Sequence, residues 1–434
     1  MQTRQRSSPP LTSLMVAATF LFMIATAWAA SKEKVVHTFT GGKDGDQPLT
    51  GLVSDSSGNL YGTVGNNGGY AAGLVFELSP TSDGKWKEQA LYTFTGGTDG
   101  GCNSSCSDLI FDSAGNLYGT AGGGNLNCGD YGAGCGVVFE LSPLSNGKWK
   151  ERVLYTFNNQ ADGGFPGFGL VLDSHGNLYG TATSGGNLSR CHNSGCGVVF
   201  ELTPAAKGKW NYKVRYAFSG GKDGANPLSS LILDSTGNLY GTAPYGGHFS
   251  KDCRANDSFG CGLVFELTPD SKSKWTERVL YAFRDPAHGA FPSDHLVFDG
   301  EGNLYGSAGD VVFELTPTAS GQWSEKVLHY FGGTGGVGPA GLVFDRRGNL
   351  YSTTIYGGDL NCFGGYGCGV VFELTPSSDG SWKERVLYAF KDAHDGGMPR
   401  AGVTIDPRDN LCGTTQWGGI DGAGVAFEIN LPAP

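Results

Sequence analysis

Short apolar stretches alternate with breaks of Gly, Asp, Asn and Pro along nearly the whole chain, and four kinds of stretch recur in a fixed order. The first reads "GLVSD", "DLIFD", "GLVLD" or "GLVFD"; the second "NLYGT"; the third "GVVFELTP" or a close variant. The fourth reads "WKERVLYTF" and relatives, opening at Trp86, Trp149, Trp210, Trp275, Trp323 and Trp382. Segments this short, rich in Val, Leu, Phe and Tyr and bounded by turn formers, predict β-strands. No stretch carries the 3.6-residue periodicity of an amphipathic helix.

The glycines of "GNLYG" at Gly58, Gly115, Gly176, Gly237, Gly302 and Gly348 lie 57, 61, 61, 65 and 46 residues apart, and Asp409 takes the same place 61 further on. A four-stranded unit of this period predicts a propeller blade, which cannot bury both faces unless neighbours stack on it. The fold class is therefore all-β, a seven-bladed β-propeller with four strands per blade. The seventh blade lacks a fourth segment after "VAFEINLPAP", but "VVHTF" at Val35–Phe39 matches "VLYTF" at Val153–Phe157. The amino-terminal strand is expected to pair with the last blade and close the ring.

Each Asp-x-x-Gly-Asn reads as the hairpin between first and second strands, its Asp accepting backbone hydrogen bonds and its Gly or Asn tolerating positive φ. One carboxylate per turn is too few for a calcium loop. The recurring "FEL" glutamates (Glu77, Glu140, Glu201, Glu266, Glu314, Glu373, Glu428) and the strand-opening tryptophans are expected to be architectural, the glutamates through hydrogen bonds between blades. A catalytic acid is needed once, not in every blade.

The ordered set "GGxDGxxP", "DxxGNLYGT", "GGVVFELTP" and "WxExVLYxF" resembles the GloVer tandem-repeat family of exported bacterial proteins, over residues 35–431. The resemblance implies an extracellular or surface location, and it supplies no activity and no catalytic residues. Some members end in a sorting segment; this chain ends at Pro434 without one, so the resemblance leaves surface anchoring open.

Arg4 and Arg6 followed by an apolar run and Ala27-Trp28-Ala29 predict a signal peptide over residues 1–29, with a membrane anchor as the alternative. Residues 30–434 then form a single propeller domain, with no later run able to span a bilayer. The formal charge is −11, from 30 basic and 41 acidic side chains; removing two arginines with the signal leaves 28 − 41 = −13. Such a surface repels phosphate backbones, so nucleic acid is excluded as a partner. A monomer without cofactor or metal is expected.

Ten of eleven cysteines fall into close pairs: Cys102 with Cys106, Cys128 with Cys135, Cys191 with Cys196, Cys253 with Cys261, and Cys362 with Cys368. In an exported chain these predict disulfides; zinc at Cys102 and Cys106 is the alternative. Four pairs lie in long loops between second and third strands, where a short crosslink contributes about 2–3 kcal/mol by restricting the unfolded loop. Cys412 stands where other repeats have Tyr and is expected to be a buried free thiol.

These loops and the inter-blade links should emerge on one face, gathering aromatics such as Tyr70, Tyr131, Phe249, Tyr356 and Tyr366 beside Asp44, Asp99, Asp162, Asp223 and Asp395. The aspartates either accept ligand hydroxyls or cap their own turns. Blade four has the longest loop and blade five almost none ("GSAGDVVFEL"). The resulting notch makes Tyr245, His248, Lys251, Arg254 and His288, together with Trp417 on the same face, the candidate ligand-binding residues. No nucleophile elbow, zinc-protease helix or phosphate loop is present, so no catalytic residue is assigned. The leading expectation is a secreted, non-enzymatic binding propeller for an extracellular glycan or a cell-envelope protein. The alternatives are a polysaccharide lyase or hydrolase on the same face, or a purely structural matrix protein.

Overall fold

The computed structural model describes residues 32–65, 72–124, 134–253, 260–272 and 274–431. Tyr70, Cys128, Tyr131 and Arg254 lie outside the described residues, as does the predicted signal segment. Seven antiparallel sheets follow one another along the chain. Blade 1 is Val53–Ser54, Leu60–Val64, Leu74–Pro80 and Trp86–Thr93, paired in that order. Blades 2 and 6 each gain one strand from the preceding link, Gly101–Cys106 on Leu117–Gly122 and Val337–Pro339 on Leu350–Tyr356.

Blade 7 joins the chain ends. Lys32–Thr38 runs antiparallel to Val425–Asn430, with Val35 opposite Phe427 and Thr38 opposite Val425. A bulge between Val35 and His37 repeats the one between Val153 and Tyr155 in blade 2. The amino-terminal strand is thus a true fourth strand, kinked where the internal ones are.

Burial explains the repeated residue types. Second strands are buried apart from Ile355 and Tyr356 at the end of the sixth, and in six blades the third-strand Phe lies over the glycine that follows the second-strand Tyr or Cys, Ser352 taking that place in blade 6. A Cβ at Gly62 would sit 2.7 Å from Phe76 Cζ and 2.8 Å from Leu52 Cδ2. Every seam between blades then carries one aromatic pair. The Phe ending a fourth strand meets the third-strand Phe of the next blade: Phe94–Phe139, Phe157–Phe200, Phe218–Phe265, Phe283–Phe313, Phe331–Phe372 and Phe390–Phe427, with centroids 4.6–5.3 Å apart. Phe39–Phe76, at 5.2 Å, closes the circle.

The polar repeats are architectural, as expected. Asp55 Oδ1 accepts from the backbone N–H of Ser57 and Asn59, both at 2.9 Å, and its Oδ2 accepts from Asn59 Nδ2 and the Tyr61 hydroxyl. Tryptophans pack across seams onto the preceding blade's Tyr, as in Tyr61–Trp149 and Tyr118–Trp210. The "FEL" glutamates differ from expectation in one respect, because they bond within their own blade. Glu373 accepts from Tyr351 at 2.8 Å and pairs with Arg385 at 2.7 Å. The link to the next blade is made by the cation: Arg152, paired with Glu140, donates to the carbonyl of Gly208 at 2.9 Å, and Lys326 donates to Gly380 at 2.6 Å.

Closure through an aromatic pair has a measurable consequence. Phe39→Ala should cost about 3–5 kcal/mol in denaturant unfolding, as much as Phe157→Ala inside the chain. A cost near zero for Phe39 alone would mean that the amino-terminal strand does not seal the ring.

Candidate functional site

Links and second-to-third loops do emerge together. The link residue Ala225 bridges Tyr245, and Gly397 bridges Trp417, at the same step of blades 4 and 7. The link aspartates are committed to their turns. Asp99 accepts from the backbone N–H of Thr95 and from the Tyr92 hydroxyl, both at 2.9 Å, and Asp162, Asp223 and Asp395 repeat the pattern. Burial works to raise Asp99, but bonds from Thr95 and Tyr92 outweigh it and hold the carboxyl below its ordinary value. Of the two readings of these residues, turn capping is the one the contacts bear out.

Disulfides join Cys102–Cys106, Cys191–Cys196, Cys253–Cys261 and Cys362–Cys368, with Cα atoms 4.8, 5.3, 5.2 and 5.4 Å apart. Cys135 is also disulfide-bonded. Cys412 is free and fully buried, and burial pushes its thiol well above the ordinary range.

The described residues singled out from sequence are spread over blades 4, 5 and 7. Blade 5 has the expected two-residue connection, Gly309–Asp310, but the turn Pro286–His288 lies against Val311–Pro317 and occupies part of the notch. His288 Nδ1 is 3.0 Å from Asp285 Oδ1 and belongs to that turn. His248 and Lys251 are exposed, and among the described residues no hydrogen bond or ion pair joins their side chains to His288. Trp417 is the blade 7 counterpart of Tyr245, three blades away.

Tyr245 does line a pocket, on the opposite side of its loop, between blades 3 and 4. This cavity of about 600 Å³ is walled by Arg190, His192, Asn226, Tyr245 and the hydroxyls of Ser189 and Ser219. Tyr245 is half-buried, with its ring 6.1 Å from Phe291, while Arg190 and His192 are exposed at the rim. Asn226 Nδ2 donates to Thr183 O at 2.8 Å, which fixes the amide. The wall is held by the Cys191–Cys196 bridge, against which Gly220 packs so tightly that a Cβ would lie 2.7 Å from Cys191 Sγ. The volume is that of an ordinary ligand pocket, and its lining mixes one aromatic face with fixed polar groups.

A second cavity lies on the ring axis, where all seven segments preceding the first strands converge. It has about 140 Å³, with Asp108, Asp294, His295 and Arg400 among its walls. The position before the first-strand apolar residue is Gly51, Gly169, Gly341 and Gly402 in four blades, but Asp108, Ser230 and His295 in the others. The larger groups fold into space that the glycines leave: a Cβ on Gly341 would sit 2.2 Å from His295 Cε1. Asp108 Oδ1 accepts from Gly51 N at 2.7 Å, and His295 Nε2 lies 3.3 Å from Leu342 O. Burial raises Asp294 above the usual carboxylate range, opposed by the neighbouring His295 and reinforced by Asp108. Aligning the residues just before each "GLVxD" would have exposed this break in symmetry.

The family model described as the Gloeobacter/Verrucomicrobia repeat matches residues 19–253 and 252–433. No curated protein matches the chain. Among solved structures, a streptogramin B lyase is similar at 15% identity and a TM-score of 0.54, covering 93% of this chain and 99% of its own. Virginiamycin B lyase from Staphylococcus aureus follows at 15% and 0.51, covering 92% and 99%. Identity this low shows a shared fold and nothing about chemistry.

The cysteine assignment predicts that the native protein offers no reactive thiol to a disulfide-exchange reagent, and that about one per chain titrates once denaturant exposes Cys412. A second titrating thiol would break one of the assigned bridges.

Proposed function

The chain belongs to the Gloeobacter/Verrucomicrobia repeat family, and on that premise we propose a secreted, non-enzymatic propeller that binds glycans bearing carboxylates in the loop-face pocket between blades 3 and 4. The observation that carries this reading is the lining of that pocket: the Tyr245 ring with Asn226, Arg190 and His192 around about 600 Å³. A sugar ring presents C–H groups that stack on an aromatic face while its hydroxyls meet amides and hydroxyls. A guanidinium at the rim adds selectivity for a carboxylate, which it grips through two parallel N–H groups. On a chain of net charge −11, a cationic rim stands out as a place for an acidic ligand. The disulfides and the signal-like segment ending at Ala29 support export.

Asp294 favours a second reading. A buried carboxyl raised beside the Asp108 carboxylate has the make-up of an acid–base pair, one group protonating a leaving oxygen and the other activating water.

Calorimetry of the mature protein against neutral and uronate-containing oligosaccharides tests both. Binding should favour the uronates and weaken with salt; Tyr245→Ala and Arg190→Ala should each lower affinity about tenfold. Binding across neither panel, or affinity untouched by Tyr245→Ala, overturns the first reading and leaves a structural role. Release of shortened chains, abolished by Asp294→Asn, would establish the second.

A further inference from the structure

The fourth strands carry a second recurring acid that the fold's hydrogen bonds leave unsatisfied. It is the Glu of "W-x-E": Glu88, Glu151, Glu277, Glu325 and Glu384, with Glu33 in the closing strand. Each is half-buried at the seam with the preceding blade, and each has a buried Oε1 without a hydrogen-bond partner. These six make up most of the nine such side-chain atoms among the described residues. A cost repeated at six seams is a property of the repeat rather than a local defect.

What faces them makes the cost larger. Asp44 lies opposite Glu88, Asp99 opposite Glu151, Asp223 opposite Glu277, and Asp395 opposite Glu33. These aspartates already accept from turn N–H groups and from Tyr92, Tyr216 or Tyr388, or lie 3.3 Å from His37 in the case of Asp44. Glu325 faces Asp285 and His288, and its Oε2 accepts from the Tyr281 hydroxyl at 3.4 Å. Glu384 faces a link of glycines, "GGTGG", without an acid. The seam into blade 3 has Tyr212 in place of Glu, and its hydroxyl donates to the carbonyl of Asp162. A neutral donor therefore fits this position, and a protonated Glu would supply one.

We propose that the ring is acid-closed: the seam glutamates favour the carboxylic acid form in the folded propeller, Glu33, Glu151 and Glu277 most strongly, and their ionisation as pH rises to neutral loosens the blade seams. Burial, reinforced by the facing aspartates, pushes Glu33, Glu151 and Glu277 up to about 7, and burial also raises Glu88, Glu325 and Glu384. The sign follows from linkage. The folded chain binds more protons than the unfolded one between the ordinary glutamate value and about 7, so this stability is complete below that window and is lost as pH rises through it. His37 and His329 are lowered by burial and oppose the trend below their ordinary value. Asp294 shares its sign, so replacement of the seam acids is what separates their contribution.

The test is thermal unfolding of the full mature chain from pH 6 to 8. The wild type should lose about 5 °C or more over that range, and Glu88→Gln/Glu151→Gln/Glu277→Gln should lose about half as much and melt higher than wild type at pH 8. Tyr212→Glu, adding a seventh acid, should steepen the decline. A wild-type melting temperature that is flat or rises with pH overturns the proposal, as does a slope unchanged in the glutamine variant. Should the variants not fold, the infrared carbonyl band of protonated carboxyls in the wild type decides: present at pH 6 and lost by pH 8 supports the proposal, absent at pH 6 refutes it.

Discussion

The structure depends on one contact made seven times, the packing of a fourth-strand phenylalanine against the third-strand phenylalanine of the next blade. Each blade presents two faces too apolar to leave in water, and a linear array would always expose two of them. Phe39 removes that problem because it comes from the amino end yet packs on Phe76 as Phe94 packs on Phe139. The strand pairing of Lys32–Thr38 with Val425–Asn430 sets the register that brings it there. Sheet hydrogen bonds inside blade 7 thus position the aromatic contact that seals its seam with blade 1.

That constraint explains why the architecture was legible in the sequence. A seam repeated in every blade must be written into every repeat, so "VVHTF" matches "VLYTF" and the hairpin aspartates are assigned to turns from sequence alone. The binding surface follows the opposite logic. Tyr245 and Trp417 look like partners in sequence because both follow a second strand at the same step, yet identical steps in a ring are kept apart by the blades between them. The pocket that Tyr245 does line depends on Arg190 and His192 from the neighbouring loop, whose approach is set by the ring rather than by anything local. Asp108 and His295 were hidden for a related reason: their counterparts are glycines, and only convergence on the axis turns a missing side chain into a vacancy that another fills.

The two sets of glutamates show how position decides the fate of a carboxylate. Glu373 faces its own blade, where Tyr351 and Arg385 satisfy it. Glu384, one position from Arg385, the cross-strand partner of Glu373, faces the seam and keeps a buried oxygen without a donor. Alternation along a strand sends the third- and fourth-strand acids to different surroundings, although both recur with the same period. Recurrence marks the "FEL" set as architectural and cannot tell it from the fourth-strand set; only the surroundings separate a satisfied brace from a titratable one.

Blade 7 is where these pressures meet. Its third and fourth strands come from opposite ends of the chain, so no outer hairpin ties them, and its second strand carries Cys412 in the Tyr position. The lost tyrosine hydroxyl is replaced by Asn410, which donates to Glu428 at 2.6 Å, and by Arg408, which lies 3.4 Å from the same carboxylate. Arg408 also pairs with Asp406 at 2.7 Å and stands 5.4 Å from the ring of Trp86 in blade 1. The aromatic edge contact used at other seams is thereby exchanged for a cation over the same ring face. Such a clamp has its full set of partners only when blade 1 is seated, so the Trp86 contact of Arg408 forms with closure itself.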